Sequence, residues 1–142
     1  MASIIQISEA ASLALHSMVM LGSTPERSLT VKEMTARTGV SEAHLSKVMQ
    51  RLAKAGLVKS TRGPKGGFVL GDNGLSTSLL AIFETIEGPI GNGGCLLPTQ
   101  ECPFRECLFG GLLGRMTTEF KEYMKNKTLG DMVSCKNEER TA

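Results

Sequence analysis

A mainly α-helical fold with a small β-wing is what this sequence predicts, and three observations predict it. Apolar residues recur at helical spacing through most of the chain. Two short helical stretches, each opened by a hydroxyl residue, are separated only by Gly39-Val40-Ser41. Directly after them, two β-prone runs flank a Gly/Pro-rich turn, Arg62-Gly-Pro-Lys-Gly-Gly67. Two helices joined by a tight turn and followed by a hairpin form a winged helix-turn-helix unit.

The first helix is expected over Ile4 to Leu21, through Ile7, Ala10, Ala11, Ala14, Met18 and Leu21, with no Pro or Gly before Gly22. Residues 22–27 read as a loop. Thr30 then caps a helix from Val31, with Glu33 three residues on as in a capping box, and Gly39 ends it. Ser41 caps the next helix, Glu42 to Ala55, whose inner side is Leu45, Val48, Met49 and Leu52. Its outer side carries Glu42, Ser46, Lys47, Gln50, Arg51 and Lys54, and Gly56 closes it. Without the hairpin such a pair could also be an αα-corner of a helical bundle, the lesser reading of the two. Leu57–Thr61 and Phe68–Leu70 are the wing strands. Ser76 is expected to cap a core helix through Leu79, Ile82, Phe83 and Ile86, stopped by Gly88-Pro89. Ile90 to Glu106 lacks periodicity, and a loop of this length is usually functional or disordered. A last long helix is expected from about Cys107 to Asn126, its apolar stripe formed by Phe109, Leu112, Leu113, Met116, Phe120, Tyr123 and Met124. Such a helix outside a small winged unit is a natural dimerisation element. Thr128–Val133 reads as a capped final turn.

Net charge is only +2, but it is unevenly placed. Between Ser28 and Leu70 eight basic residues face two acidic ones, a local +6 that leaves the remainder at −4. A basic block in a near-neutral chain suits a phosphate-binding surface, although a plain solvated face has the same charge. No apolar run reaches the length of a membrane span, and Glu9 and His16 interrupt any signal-peptide pattern, so a cytoplasmic protein is expected. An enzyme finds little support. There are two His, no nucleotide-binding glycine motif and no paired carboxylates in a recognisable setting.

Three of the four cysteines, Cys95, Cys102 and Cys107, fall in the run GGCLLPTQECPFREC, and the fourth is Cys135. Where thiols stay reduced, such crowding suggests metal or redox chemistry more than disulfides. Thiolates select iron–sulfur clusters, zinc or copper, and three ligands are one short of the usual four.

Several segments resemble the IscR/NsrR-type winged-helix regulators of bacteria, the Rrf-two superfamily. They are Ala14-Leu15-His16-Ser17-Met18, Leu29–Glu33, Gly39–Ser41 with Leu45, Leu52–Val58, Ser60–Phe68, Glu87–Pro89, the three cysteines and Thr128–Asp131. The match runs from about Ile7 to Val133, and its wing, Arg-Gly-Pro-x-Gly-Gly-aromatic, is highly specific. The resemblance implies a homodimeric transcription factor that binds a double-stranded DNA operator. It also implies a 2Fe–2S or 4Fe–4S cluster held by Cys95, Cys102 and Cys107, and a response to redox, nitric oxide or iron–sulfur status. It divides the chain into a DNA-binding domain (1–88), a cluster-binding loop (89–107), a dimerisation helix with a short terminal turn (108–134) and a polar tail (135–142). The cysteine gaps of six and then four residues depart from the near-equal gaps commoner among cluster-binding members. Gly110 stands where one branch places a His ligand.

In some relatives the partner subunit's first helix completes the ligand set. Glu9, Ser12 and His16 are the candidates here, because their spacing puts them on one helical face. Cys135 is expected to be a free tail thiol. On DNA, Ser41, Glu42, Ala43, His44, Ser46 and Lys47 are expected nearest the bases. Lys47, Arg51, Lys59 and Lys65 are expected on phosphates. Arg62 is expected to enter the minor groove from a wing tip, Gly63, Pro64, Lys65 and Gly66, whose glycines permit close approach. A thiol redox switch or a zinc site is the alternative use of the cysteines.

Overall fold

The computed structural model describes residues 5–64, 66–91, 93, 96–97 and 102–134. Helix α1 (Glu9–Ser23) is followed by α2 (Val31–Thr38), α3 (Glu42–Lys54), strands β1 (Val58–Thr61) and β2 (Gly67–Leu70), α4 (Leu79–Glu87) and α5 (Leu112–Asn126). The architecture is the expected one, mostly helical with a two-stranded antiparallel sheet.

Local chemistry sets most boundaries. The Ser8, Thr30 and Ser41 hydroxyls accept the N–H of Ala11, Glu33 and His44, capping α1, α2 and α3. The Glu33 carboxylate takes the Arg27 guanidinium at 2.7 Å. Gly39 closes α2 in the left-handed conformation, φ +74°. At the end of α3, Leu57 N–H reaches Leu52 O and Gly56 N–H reaches Ala53 O, the paired bonds of a Schellman turn.

Three boundaries differ from the expectation. Helix α1 starts at Glu9 rather than Ile4, because Ser8 is an extended capping residue, ψ 152°. Ser78, not Ser76, caps α4, its hydroxyl accepting Ala81 N–H. Ser76 instead ends a short 3-10 turn, Gly74–Ser76, and donates to Asn73 O. Helix α5 starts at Leu112, not near Cys107, because Gly110 and Gly111 hold φ of +54° and +80° and no right-handed helix passes through them.

The core is built where α1, α3 and α4 meet. Met18, Leu45, Met49, Leu52 and Ile82 are fully buried, with Met34 from α2 and Val58 from β1 joining them. The wing pairs Val58 with Leu70 and Thr61 with Gly67, and a single bridge from Leu29 to Phe68 adds a third strand-like contact. That bridge needs Gly67, since a methyl group there would overlap the Leu29 carbonyl. A second bridge, Ser78 to Thr128, fastens the end of α5 to the start of α4. Phe83 and Phe120 meet edge to face between the same two helices, 5.3 Å apart.

The expected single stripe on α5 is divided. Met124 is buried, and Leu113, Met116 and Phe120 are half-buried, whereas Phe109, just before the helix, and Leu112 and Tyr123 are exposed. Among the described residues no helix is long and apolar enough to cross a membrane.

Candidate nucleic-acid interface and cysteine loop

Helix α3 buries Leu45, Val48, Met49 and Leu52, so its opposite side must face outward. Ser41, Glu42, Ala43 and Lys47 are exposed there, and His44 and Ser46 are half-buried. Arg62, Gly63 and Pro64 are exposed on the wing, and Gly63 has φ +107°. Lys65 lies outside the described residues. Gly66 N–H bonds Gly63 O at 2.8 Å, which closes the wing turn. The exposed starts of α3 and the wing both emerge from one basic segment, the arrangement a duplex would need.

Three basic or titratable residues have partners that the sequence did not show. Lys59 pairs across the wing root with Asp72, and that ammonium holds the Asp72 carboxyl below its usual range. His44 Nδ1 lies 3.6 Å from the Glu9 carboxylate, so the first turn of α1 touches the first turn of α3. Arg51 bonds carbonyls at the end of α4, Ile86 O at 2.6 Å and Thr85 O at 3.5 Å. No spacing rule marks such long-range contacts.

Of the candidate fourth ligands, Ser12 and His16 are together. His16 is exposed and its Nδ1 lies 2.7 Å from Ser12 O and 3.3 Å from Ser12 Oγ. With Nδ1 engaged, Nε2 is the nitrogen left to bind a metal. Glu9 is turned toward His44 instead.

Cys102 and Cys107 are exposed free thiols. Cys95 and Cys135 lie outside the described residues. Cys102 and Cys107 line one apolar cavity of about 540 Å³ with Leu96, Phe104, Leu108 and Leu113. The N–H groups of Phe109, Gly111 and Gly110 converge on Cys107 and hold its thiol below the ordinary value, as amide donors do for a thiolate. Gly110 and Gly111 are both left-handed there, and Gly110 N–H also bonds Cys107 O at 3.0 Å. This donor chemistry fits a thiolate ligand of an iron–sulfur cluster, whose sulfurs are tuned by such hydrogen bonds. Among the described residues alone, no group of three His, Cys, Asp or Glu side chains comes together to hold a metal.

A family model described as Rrf2, iron-dependent transcriptional regulator, matches residues 7–135. HTH-type transcriptional regulator IscR of Vibrio vulnificus strain YJ016 is 29% identical over 108 residues, covering 72% of this chain and 61% of that protein. IscR of Escherichia coli strain K12 / DH10B is 29% identical over the same length, covering 72% and 63%. The chain thus spans about three fifths of the length of these curated relatives. Among solved structures, CymR (YrzC), the global cysteine regulator of B. subtilis, is similar with TM-score 0.78 and 30% identity, over 92% of this chain and 98% of that one. T. potens IscR shares the fold with TM-score 0.77 at 23% identity, over 98% and 93%. These proteins are transcriptional regulators rather than enzymes.

Proposed function

This chain belongs to the Rrf2 family of iron-dependent transcriptional regulators, and we propose that it works as a homodimer that binds a double-stranded DNA operator with an affinity set by an iron–sulfur cluster on Cys95, Cys102 and Cys107. One observation carries this reading: the exposed start of a recognition helix and its wing share a core with α5, and in the turn that leads into α5 backbone N–H groups hold the Cys107 thiol below its ordinary value.

In this reading Ser41, Glu42, Ala43, His44, Ser46 and Lys47 face the base edges. Arg62 enters the minor groove, where the close approach of Gly63, Pro64 and Gly66 is possible because two of the three lack a side chain. Lys47, Lys59 and Lys65 meet phosphates and supply affinity without sequence information. A bound cluster would supply a redox- and nitric-oxide-sensitive centre held by thiolates. The chain's own part is to present those thiolates, with Ser12 or His16 of a second copy as further ligand and Glu9 as the third candidate.

The outer surface of α5 supports the homodimer. Leu112 and Tyr123 are exposed apolar side chains, and Arg115 precedes Glu119 and Glu122 along the same surface. In a twofold antiparallel pairing Arg115 of each copy lies opposite the acidic pair of the other.

The experiment is an anaerobic preparation assayed for iron and acid-labile sulfide, with an absorption spectrum and gel shifts before and after cluster removal. The reading expects stoichiometric iron and sulfide, visible absorbance lost in Cys102→Ser, and a different DNA affinity in the two states. The N–H groups on Cys107 also favour a second reading, a thiol switch or zinc site. Colourless protein with an oxidant-dependent gel shift, or with stoichiometric zinc, would establish that one instead.

A further inference from the structure

A helix ends with carbonyls that no N–H of its own can reach. At the end of α4, Gly88 N–H takes Glu84 O at 2.8 Å. The next two carbonyls are taken by a side chain from another helix. Arg51, in the last turn of α3, donates to Ile86 O at 2.6 Å and reaches Thr85 O at 3.5 Å. The recognition helix therefore caps α4.

The backbone that leaves α4 is held from two further sides. The Ser8 hydroxyl, which caps α1, donates to the Glu87 carboxylate. Lys121 of α5 donates to Ile90 O at 3.2 Å. Three residues on, Gly93 with φ +65° lies directly against α5; a methyl group there would overlap Thr117 and come within 2.8 Å of Leu113 O. Thr85, Ile86, Glu87, Ile90 and Gly93 thus contact α3, the α1 cap and α5 in turn, and the cysteine loop follows them in the chain. Arg51 is the attachment of this connector to α3.

We propose that Arg51 is a positioning residue that couples the cysteine loop to the recognition helix through the end of α4, rather than one more phosphate contact. The proposal rests on the DNA-binding reading above. Binding linkage is reciprocal, so DNA must then alter the loop as much as the loop alters DNA affinity. This can be read without any cluster.

The test uses the full chain, cluster-free and reduced, with a duplex fragment that it shifts in a gel. Alkylation rates of Cys102 and Cys107 by iodoacetamide are followed by peptide mass spectrometry with and without that DNA, in wild type, Arg51→Met and Arg51→Lys. We expect DNA to change the wild-type rates by about fivefold or more, within the usual range of allosteric coupling. In Arg51→Met the change should fall to within about twofold while the salt dependence of DNA binding keeps its slope. Arg51→Lys, whose single ammonium lacks the guanidinium fork, should fall in between, with circular dichroism checking that both variants fold. A phosphate contact predicts otherwise: a slope reduced by about one in Arg51→Met, near-normal behaviour in Arg51→Lys, and coupling intact in both. That result, or wild-type rates that DNA leaves unchanged, overturns the proposal. If no duplex is shifted at all, the DNA-binding reading itself fails, and this inference fails with it.

Discussion

Ser17 is fully buried in α1, and its hydroxyl finds no partner among the described residues. A buried donor left unpaired costs about 1–3 kcal/mol, and Ala is the better helix former. Ser17→Ala should therefore raise stability, by about 1 kcal/mol in urea titration. A loss of that size would reveal a partner for the hydroxyl. Asp131 is the reverse case, a carboxylate satisfied twice. It accepts Thr128 N–H at 2.9 Å and the Thr128 hydroxyl at 3.2 Å, and both hold its carboxyl below the usual value of 3.8. A depressed folded-state pKa contributes stability above that value, and the contribution is lost as pH falls through the folded-state one. Amide protection in the helical residues 129–134 should fall in that acidic window in wild type, and Asp131→Asn should remove the pH dependence.

At the scale of elements, the wing is less free than a bare hairpin. The Leu29–Phe68 bridge ties it to the residue before the α2 cap, through bonds of 3.0 and 2.8 Å. Gly67→Ala should cost about 2 kcal/mol or more, because its methyl group meets the Leu29 carbonyl. Gly63→Ala, with open space around it and only an unfavourable φ, should cost about 1 kcal/mol. Chemical denaturation of the two variants checks that order. The turns and caps around α2 and α3 are legible in the sequence because their cause is local: Thr30, Gly39, Ser41 and Gly56 each act on backbone within five residues. The start of α4 is not. Three hydroxyl residues, Ser76, Thr77 and Ser78, compete for it, and the choice falls at the bridge from Ser78 to Thr128, fifty residues away. Glycine content warns that α5 is weak at its start, but only the left-handed pair at 110–111 shows where it begins. In the candidate site, the exposed start of α3 follows from the burial period. Contacts between helices, Glu9 with His44 and Arg51 with Ile86, carry no signature of residue type or spacing.

For the whole molecule, the exposed side of α5 bears on assembly. Leu112 is 43% exposed, so Leu112→Asp should leave the melting temperature of the protomer nearly unchanged. If α5 pairs two copies, the same change should turn a dimer into a monomer by sedimentation at about micromolar concentration and weaken DNA binding with it. An unaltered dimer would place the interface elsewhere. The support along α5 is lopsided. The Ser78–Thr128 bridge, the Phe83–Phe120 contact and Lys121 hold its later turns, and Gly93 leans on its middle at Thr117. The stretch before that overhangs: Leu108 is 96% exposed, and Gly110, Gly111 and Gly114 follow it. Glycine loses more freedom on ordering than any other residue, and each residue fixed costs about 1–2 kcal/mol. Under the proposed reading, a cluster held by Cys107 would have to stiffen this overhang on binding, and part of its binding strength would go into that. A rigid cage would retain its contents through small insults. A seat that has to be set anew lets go readily, which is the property a sensor needs and a storage site does not.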